Sequence, residues 1–434
     1  MNIVTVTNTF TPHVGGVARS VQGFTKAFRQ LGHRVLVIAP RFEGTPERER
    51  DVVRLPAVQH FSGSDFSVPV PVPGRVAVAL STFAPHIVHS HHPFLLGDTA
   101  LRIAAAHALP VVFTYHTMYE QYTHYVPGHS PRLQRFVVEL ATGYCNLCDA
   151  VIAPSTTVAE LLVHRGVKVP IEIIATGVDR EAFASGDGPG FRQRAGIPLE
   201  AFVVGHVGRL APEKNLGFLA EAVARFLLHN VQARFLVAGD GPSLAEIQST
   251  FAASGLTARL HVEGVLGRQE LADVYRSMDV FAFASQTETQ GMVLTEAMAA
   301  GVPVVAVDAP GVRDVVRDRE NGRLVLHEDV EEFVAALSWI AALAPAARQR
   351  LGQGVAQTAA AFSMAHTAAR TLALYTSLCT GQPARKEVET SLWTLARRRV
   401  AEEWKIVSNM AHAAGGAVLA RQSMEGPDQA GGAG

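Results

Sequence analysis

Short apolar runs typical of β-strands alternate with longer runs of helical spacing along most of this chain. The first pair is NIVTVTN at 2–8 and GVARSVQGFTKAFRQLG at 16–32, whose apolar residues recur at helical intervals until Gly32. The further strand-like runs are HRVLVIAP (33–40), HIVHSH (86–91), PVVFTYH (110–116) and DAVIAPS (149–155). Because continuous apolar strands that alternate with helices form parallel sheets covered on both faces, the pattern predicts a doubly wound α/β domain.

The pattern stops near residue 180 and then begins again. The run SGDGPGF at 185–191 has the composition of a linker. The strand-like runs that follow it are FVVGHVGRL (202–210), RFLVAGDGP (234–242), RLHVEGV (259–265), DVFAFAS (279–285) and VPVVAVD (302–308). The sequence therefore predicts a second doubly wound domain. Ligands of such sheets bind beyond the carboxyl ends of the strands, so two such domains facing each other would form a central cleft.

We predict four segments from these patterns. Residues 1–182 form an N-terminal Rossmann-like domain, and residues 183–362 form a second one. Residues 363–380 form a helix that crosses back to the N-terminal domain. Residues 381–434 begin with a helix, SLWTLARRRVAEEWKIVSNMAHA, and end in a disordered tail, EGPDQAGGAG. The predicted fold class is α/β with a C-terminal helical extension.

Charge and hydropathy narrow the classes of function and location. The formal net charge of the 434 residues is −1, which gives no general attraction to nucleic acid. The start, MNIVTVTNTF, has no basic segment and no long apolar core, so we expect no signal peptide. The longest apolar run, FVAALSWIAALAPAA from Phe333, is shorter than the about 20 residues that a membrane span needs. We therefore expect a cytoplasmic protein, soluble or peripheral to a membrane.

Two clusters of potential metal ligands have simpler interpretations. Cys145 and Cys148 form a C-x-x-C, but the chain offers no second ligand pair, which favours reduced thiols. The run HSHH places His89, His91 and His92 at a predicted strand end. No nearby cysteine or carboxylate set completes a ligand shell, so we interpret these histidines as the lining of a cleft and predict no metal site.

The stretch SQTETQGMVLTEAMAAGVPVV sets Glu288 and Glu296 eight residues apart at the entry of a predicted helix. The amides of Gly291, Met292 and Val293 would point at an anion at the helix N-terminus. A carboxylate that faced phosphates would repel them, so Glu296 must face another group, such as ribose hydroxyls. Glu288, in the loop, can reach beyond the phosphates. The structural alternatives are a capping role for Glu288 and a surface position for Glu296.

Two cations and two glycines follow the first strands of the two domains. Arg209 and Lys214, in GHVGRLAPEKN, lie at the carboxyl end of a predicted strand, where two cations can bind a diphosphate. The alternative for them is a solvated surface pair. Gly15 and Gly16, in TPHVGGVARS, would let backbone amides approach an anion closely, or they form an ordinary tight turn.

With these motifs the chain resembles the retaining glycosyltransferases of family 4. The resemblance covers residues 1–378 and rests on ETQGMVLTEAMAAG, the Gly-Gly pair, GRLAPEKN and ATGVD (175–179). It implies the GT-B fold, in which the first domain binds the acceptor and the second binds a nucleotide-sugar donor. The implied activity is metal-independent hexose transfer, with UDP-hexose as donor. Family analogy favours front-face attack over double displacement through a carboxylate nucleophile.

The resemblance also implies roles for single residues. Glu288 is expected beside the donor sugar and Glu296 at the nucleotide ribose, and His116, in TYHTMYE, matches the active-site histidine rather than a core histidine. Arg209 and Lys214 match the pyrophosphate pair, which offsets the charge of the leaving group. The predicted catalytic residues are His116, Glu288, Arg209 and Lys214. The predicted donor-binding residues are Gly15, Gly16, Arg209, Lys214, Gln290, Gly291, Met292, Val293 and Glu296, with Val265 and Leu266 in the base-reading turn EGVL.

The resemblance is greatest to the branch that glycosylates membrane lipids, such as bacterial diacylglycerol glucosyltransferases. It rests there on SHHPFLLG (90–97), TYHTMYEQYTHYVP (114–127) and TETQG (287–291). The implied partners are a nucleotide-sugar, a lipid acceptor and the anionic inner face of the plasma membrane. A soluble, polysaccharide or lipopolysaccharide acceptor is the alternative. A nucleotide-sugar epimerase fits less well, because the spacing from TETQG to Glu296 and the pair Arg209 and Lys214 argue against it. A non-catalytic nucleotide-binding module fits less well, because His116 and Glu288 are both in place.

Two segments offer a membrane-binding face. In SPRLQRFVVELATGYC (130–145), basic residues alternate with apolar ones at helical spacing, although a helix packed on the sheet would show the same pattern. The residues concerned are Arg132, Arg135, Phe136, Val137 and Leu140. The tail helix carries Trp393, Arg397, Arg398, Arg399 and Trp404. It lies beyond the usual end of the family, so the resemblance implies nothing about it.

Overall fold

The computed structural model of the protein describes residues 1–13, 15–47, 49–59, 68–70, 72–120, 130–381 and 392–419. Within 392–400 and 415–419 it describes only the backbone. The chain forms two compact units. The first unit comprises residues 1–154, 159–174 and the chain from 370 onward, and the second comprises 155–158 and 175–369.

The first unit contains a seven-stranded parallel sheet. The strands along this part of the chain are β1 (Asn2–Val6), β2 (Arg34–Pro40), β3 (Val52–Leu55), β4 (Ala57–Val58), β5 (Val68–Pro69), β6 (Ile87–Ser90), β7 (Val111–Thr114), β8 (Ala150–Ala153) and β9 (Ile171–Ile173). The order across the sheet is β3-β2-β1-β6-β7-β8-β9, and β4 and β5 form a separate antiparallel pair. Ile3 of β1 lies opposite Val35 on one side and Ile87 on the other. The strand order therefore reverses between β1 and β6, which is where such sheets bind ligands.

Helices connect these strands, and two more follow the second unit. The connecting helices are α1 (Gly16–Gln30), α2 (Pro73–Phe83), α3 (Leu96–His107), α4 (Pro131–Leu147) and α5 (Thr156–His164). The chain returns to the first unit along α14 (Met364–Gly381) and ends its described part in α15 (Leu392–Leu419). Tyr375 of α14 is fully buried and packs on Phe28 of α1, with ring centroids 5.7 Å apart.

The second unit contains a six-stranded parallel sheet. Its strands are β10 (Phe202–Val207), β11 (Ala233–Ala238), β12 (Leu260–Glu263), β13 (Val280–Phe283), β14 (Val304–Val307) and β15 (Gly322–Val325), in the order β12-β11-β10-β13-β14-β15. Its helices are α6 (Arg180–Ala184), α7 (Gly188–Arg194), α8 (Leu216–His229), α9 (Leu244–Ala253), α10 (Arg268–Arg276), α11 (Met292–Ala299), α12 (Val330–Ala341) and α13 (Pro345–Ala361). Successive residues of a strand pack in two separate apolar cores: Val203 lies in one core and Val204 lies in the other. Both faces of the sheet are thus covered, and the predicted pair of doubly wound α/β domains is confirmed.

The prediction of a linker at 185–191 is wrong. Gly188 begins α7, and the Asp187 amide donates to the Asp273 carboxylate of α10 at 2.8 Å. A Cβ at Gly188 would lie 2.2 Å from the Arg276 carbonyl oxygen. The glycines of this run permit close packing of α7 on α10, whereas the sequence suggested a flexible connection.

The tail helix α15 lies against α3 and α4. Arg102 of α3 pairs with Glu403 at 2.5 Å, and the Asn409 amide donates to the Leu140 carbonyl oxygen of α4 at 3.2 Å. Ile406 and Ala413, on the same side of α15, are buried. Part of the face of α4 that the sequence predicted as membrane-binding is therefore covered by α15.

No single helix among the described residues is long and apolar enough to cross a bilayer. The bent pair α12 and α13, at 108°, meets the length and composition criterion. Phe333 and Leu337 of α12 pack in the core of the second unit.

Candidate active site

The candidate donor site lies at the carboxyl ends of β10 and β13, in the second unit. These neighbouring strands pair in parallel, with Val204 opposite Val280, and the strand order of the sheet reverses between them. Loops that leave a sheet at such a reversal diverge to opposite faces and open a crevice for ligands. Arg209 and Lys214 follow β10, and Glu288 follows β13.

Lys214 and Glu288 are brought together by the fold. The Lys214 ammonium donates to the Glu288 carboxylate, and each side chain is only 17% exposed. Ser285 Oγ, in the loop after β13, donates to the Glu213 carbonyl oxygen at 3.2 Å and so joins the same two loops. The alternative of a solvated surface pair is therefore wrong for Lys214, because its side chain is mostly buried. A mostly buried ion pair also keeps more of its Coulomb attraction than an exposed one.

Arg209 lies beside a second carboxylate. Its guanidinium donates to Glu213, and the Arg209 side chain is 48% exposed. Its partner Glu213 is only 13% exposed, so the half-exposed guanidinium, not the carboxylate, is the member of the pair that an incoming anion can reach. The two predicted cations thus differ: Lys214 is held inside the loop pair, whereas Arg209 lies toward solvent.

Glu296 is buried inside the second unit. It lies in α11, is 5% exposed, and its Oε2 accepts a hydrogen bond from Tyr275 Oη of α10 at 2.9 Å. The alternative of a surface helix charge is therefore wrong. Nor does Glu288 cap α11, since Gly291 occupies the N-cap without a side-chain cap hydrogen bond. Gly291 has φ +72, a left-handed conformation that glycine adopts without strain.

The Gln290 side chain binds protein backbone. Its Oε1 accepts from the Thr176 amide at 2.6 Å, and its Nε2 donates to the Thr176 carbonyl oxygen at 2.8 Å. These two hydrogen bonds join the loop before α11 to the ATGVD segment within the second unit. Gly311, with φ +75, packs against the backbone of this loop, and a Cβ at Gly311 would lie 2.7 Å from the backbone nitrogen of Gln290. A donor contact of Gln290 would therefore use its backbone, while its side chain positions the loop.

The predicted base-reading turn lies farther along the same sheet edge. It follows β12, which is separated from β10 by β11. Val265 is exposed, whereas Leu266 packs partly against the core of the unit. Met292 and Val293 form the first turn of α11. Because β11 lies between β12 and β10, the structure places this turn apart from the charged pair along the sheet edge.

The glycine pair of the first unit begins α1. Gly15 is the N-cap, with an extended φ of −174, so its own backbone conformation does not demand glycine. A Cβ at Gly16 would meet no heavy atom within 4 Å among the described residues. A Cβ at Gly15 would lie 3.2 Å from Nε2 of the His13 side chain, which makes that position tight, whereas nothing in the described part of this unit explains Gly16. A requirement for close approach by a ligand stays a prediction for both glycines.

His116 follows β7 and contacts a buried histidine. Its Nε2 lies 2.8 Å from Nδ1 of His91, which follows β6. His89 and His92 are bonded as well: His89 to Tyr375 and Thr114, and His92 to the Asn8 amide. The sequence showed the histidine cluster but not this network, because its partners come from β7, α14 and the loop after β1.

Burial holds these imidazoles neutral. It lowers the pKa of His89, His92 and His116 to about 3. The pKa of His91 is lowered well below its usual value, first by burial and then by the neighbouring histidines. All are therefore uncharged hydrogen-bonding groups near pH 7.

A further buried histidine, His206 of β10, was not predicted as part of the site. Its Nδ1 donates to the Ala282 carbonyl oxygen at 3.1 Å. Burial lowers its pKa to about 4, and the charges of Lys214 and Glu288 act on it in opposite directions. Because His206 lies inside an apolar strand, the sequence did not predict that Lys214 and Glu288 would lie near it.

The interpretation of HSHH as the lining of a cleft is wrong. His89, His91 and His92 are all buried, and protein groups bind both ring nitrogens of His89 and the Nδ1 atoms of His91 and His92. Within the described ranges, no three His, Cys, Asp or Glu side chains are arranged as metal ligands. Cys145 and Cys148 are buried free thiols, and burial raises the pKa of both.

Comparisons with known proteins cover both units. Residues 14–182 match the family model described as Glycosyltransferase Family 4, and residues 189–357 match Glycosyl transferases group 1. The chain is 28% identical over 334 residues to an alpha-monoglucosyldiacylglycerol synthase of Streptococcus pneumoniae, covering 76% of each chain. It is 33% identical over 335 residues to a GDP-mannose-dependent alpha-mannosyltransferase of Mycobacterium tuberculosis, covering 75% of this chain and 84% of the other.

A solved structure shows the same fold. The HepE protein of Anabaena, in complex with UDP, superposes with a TM-score of 0.66 at 20% identity, over 87% of this chain and 100% of the other. At that identity the likeness shows the fold alone. The tail helix α15 lies beyond the two matched family models.

Proposed function

Because this chain belongs to glycosyltransferase family 4, we propose that it transfers a hexose from UDP-hexose to a hydroxyl of a diacylglycerol-like membrane lipid, with retention of anomeric configuration. The observation that carries the proposal is the contact of Lys214 with Glu288 at the strand-order reversal of the second unit. It sets a cation for phosphate and a carboxylate for sugar hydroxyls within one hydrogen bond of each other.

The donor diphosphate would bind at Arg209, Lys214 and the N-terminus of α11. The amides of Gly291, Met292 and Val293 open that helix, and a helix N-terminus attracts anions. Arg209 would contact phosphate through the half of its side chain that is exposed, while Glu213 holds the guanidinium at the loop. Lys214 stands between Glu288 and the phosphates and so offsets their mutual repulsion. We propose that these groups neutralise the leaving diphosphate without a metal ion.

Glu296 would bind the ribose. Tyr275 holds one oxygen of its carboxylate at 2.9 Å and thereby fixes the orientation of the group. A buried carboxylate forms strong hydrogen bonds with hydroxyl donors. Val265 and Leu266 are proposed to read the base through their backbone, and UDP is the predicted nucleotide.

The chemical step would proceed by front-face attack. The acceptor oxygen bonds to the anomeric carbon on the side that the diphosphate leaves, and a leaving phosphate oxygen takes the acceptor proton. Glu288 would bind the sugar hydroxyls, because carboxylate oxygens accept hydrogen bonds from hydroxyl groups. His116 is proposed as a further sugar contact, with Gly15 and Gly16 as contacts to the donor phosphate.

A lipid acceptor is supported by the name of the pneumococcal relative and by exposed groups on the first unit. Arg132 and Arg135 of α4 are exposed, and Trp404 of α15 is 73% exposed. Tryptophan favours the membrane–water interface, and arginine is attracted to anionic lipid. We propose that these groups hold the enzyme at the cytoplasmic face of the plasma membrane. Trp393 and Arg397 to Arg399 lie in the part of α15 whose side chains are not described.

A panel of donors and acceptors tests the proposal. UDP-glucose, UDP-galactose and GDP-mannose are each offered with vesicles that contain diacylglycerol, and products are identified by mass spectrometry. We expect a glycosylated diacylglycerol from a UDP-hexose, with an α-anomeric proton signal by NMR. Transfer only from GDP-mannose would overturn the predicted donor. Transfer only to soluble or polysaccharide acceptors would overturn the lipid assignment, and an epimerised donor formed without acceptor would overturn transfer.

A further inference from the structure

The first unit holds two histidines joined edge to edge. Nδ1 of His91 lies 2.8 Å from Nε2 of His116. The ring centroids are 5.1 Å apart, and the ring planes differ by 21°. Since the nitrogens are much closer than the centroids, they lie between two nearly coplanar rings. This is the geometry of an N–H···N hydrogen bond.

One proton determines the hydrogen-bonding character of both rings. The two imidazoles are neutral near pH 7, and a neutral imidazole carries a single N–H. If His91 donates from Nδ1, His116 carries its own proton on Nδ1 and is a donor there. If His116 donates from Nε2, its Nδ1 is an acceptor. The tautomer of His91 and that of His116 are therefore coupled.

His91 is itself held in place by buried neighbours. The ring of His89 lies against it, with centroids 4.1 Å apart. His89 is bonded at both nitrogens, to Tyr375 Oη at 2.5 Å and to Thr114 Oγ1 at 2.7 Å. His91 is 1% exposed, so it does not contact a ligand itself, and its hydrogen bond to His116 is the route by which it would influence one.

We propose that His91 is a positioning residue, which sets the ring orientation and the tautomer of His116. The tautomer decides whether Nδ1 of His116 offers a donor or an acceptor to a sugar hydroxyl. The inference rests on the proposed function for its consequence in catalysis, since that function places His116 at the sugar. The coupling of the two tautomers rests on the geometry of the first unit.

Three variants at His91 separate hydrogen bonding from packing. The amide of His91→Asn lies near the position of the lost Nδ1 and can still pair with His116. The amide of His91→Gln lies near the position of Nε2 and cannot. His91→Phe keeps a ring of similar size without any nitrogen. His86→Gln, an exposed histidine that precedes β6, is the control.

The measurement is the tautomer of His116 in the full chain, from long-range ¹H–¹⁵N spectra of ¹⁵N-histidine-labelled protein, with His116→Gln for assignment. We expect one neutral tautomer in the parent, its retention in His91→Asn, and its loss in His91→Gln and His91→Phe. Turnover in the donor and lipid assay should fall about 10- to 100-fold in the last two variants and recover in part with Asn.

The outcomes separate this inference from the proposed function. An unchanged His116 tautomer in His91→Gln and His91→Phe overturns the inference, and so does equal behaviour of Asn and Gln. If His91→Phe does not fold, the comparison of Asn with Gln decides. If His116→Gln has full turnover while the tautomer of His116 still depends on His91, the sugar role of His116 fails and the positioning role stands.

Discussion

Lys214 and Glu288 form one ion pair, although 74 residues separate them in the sequence. The parallel pairing of β10 with β13 brings their loops to the same edge of the sheet. A cation and a carboxylate so placed neutralise each other until a ligand arrives. A diphosphate next to Lys214 would share the ammonium group with Glu288. Oxygens of Glu288 would then be available to accept hydrogen bonds from hydroxyl groups.

Replacing Lys214 by alanine should reduce turnover by about 10²–10³-fold, which is the effect of removing one preorganised donor to a developing negative charge. Glu288 would then face the diphosphate without the cation between them. Initial rates with UDP-hexose and lipid acceptor check this. Arg225→Ala is the matched control, since Arg225 pairs with Glu221 and Glu331 on an exposed helix surface. Equal loss in both variants would contradict the assignment of Lys214.

Replacing Glu296 by alanine should weaken UDP binding by about 1–3 kcal/mol, because charge-assisted hydrogen bonds to the ribose are lost. Isothermal titration calorimetry measures the affinity. Tyr275→Phe keeps the carboxylate and removes only the hydroxyl that orients it, so it should cost about 1 kcal/mol. Unchanged UDP affinity in Glu296→Ala would exclude the ribose role and leave Glu296 as a structural partner of Tyr275.

Replacing Gln290 by alanine should destabilise the second unit by about 1–3 kcal/mol, since two backbone groups of Thr176 lose a buried partner. Hydrogen exchange of the peptides that contain Thr176 and Gln290 should increase in this variant. Gln286→Ala is the control, because Gln286 pairs with Glu328 at the surface. If Gln290→Ala exchanged like the parent protein, the loop would be held by other contacts.

The sequence predicted the sheet architecture and the charged loop residues, because both depend on local patterns. Strand and helix periodicity defined two α/β domains, and the position of Arg209, Lys214 and Glu288 after strands placed them at one edge. The burial of Glu296 was not predictable, since its partner Tyr275 comes from another helix. The linker assignment failed because glycines that allow close helix packing have the same composition as flexible chain.

The first unit should lose stability as the pH falls below about 6.5. The folded pKa of His89, His92 and His116, about 3, lies below the unfolded value of 6.5, so the unfolded chain binds more protons between these values. The stabilisation is present above pH 6.5 and is lost progressively toward pH 3, by at most about 1.4 kcal/mol per pH unit for each histidine. Hydrogen exchange in β6 and β7, corrected for the intrinsic pH effect, should therefore lose protection between pH 7.5 and 5.5. Constant protection would contradict the predicted neutrality.

The last prediction concerns the membrane. Deleting the tail would uncover α4, because Ile406 and Ala413 of α15 are buried, so substitutions are the better test. Arg132→Ala combined with Arg135→Ala should weaken binding to phosphatidylglycerol vesicles by about 2 kcal/mol at low salt, since each cation near an anionic surface contributes about 1 kcal/mol. Arg350→Ala, an exposed arginine of the second unit, is the control.

Trp404→Ser should also lower vesicle binding, and this loss of affinity should be the same at low and high salt. The reason is that tryptophan contributes by partitioning into the membrane interface rather than by Coulomb attraction. Leu199→Ser, an exposed apolar residue of the second unit, is the matched control. Flotation at two salt concentrations separates the contributions: the arginine effect should fade as the Debye length shortens to about 8 Å at physiological salt, and the tryptophan effect should persist. If the parent protein does not float with anionic vesicles at low salt, membrane attachment fails and a soluble or polysaccharide acceptor becomes the better assignment.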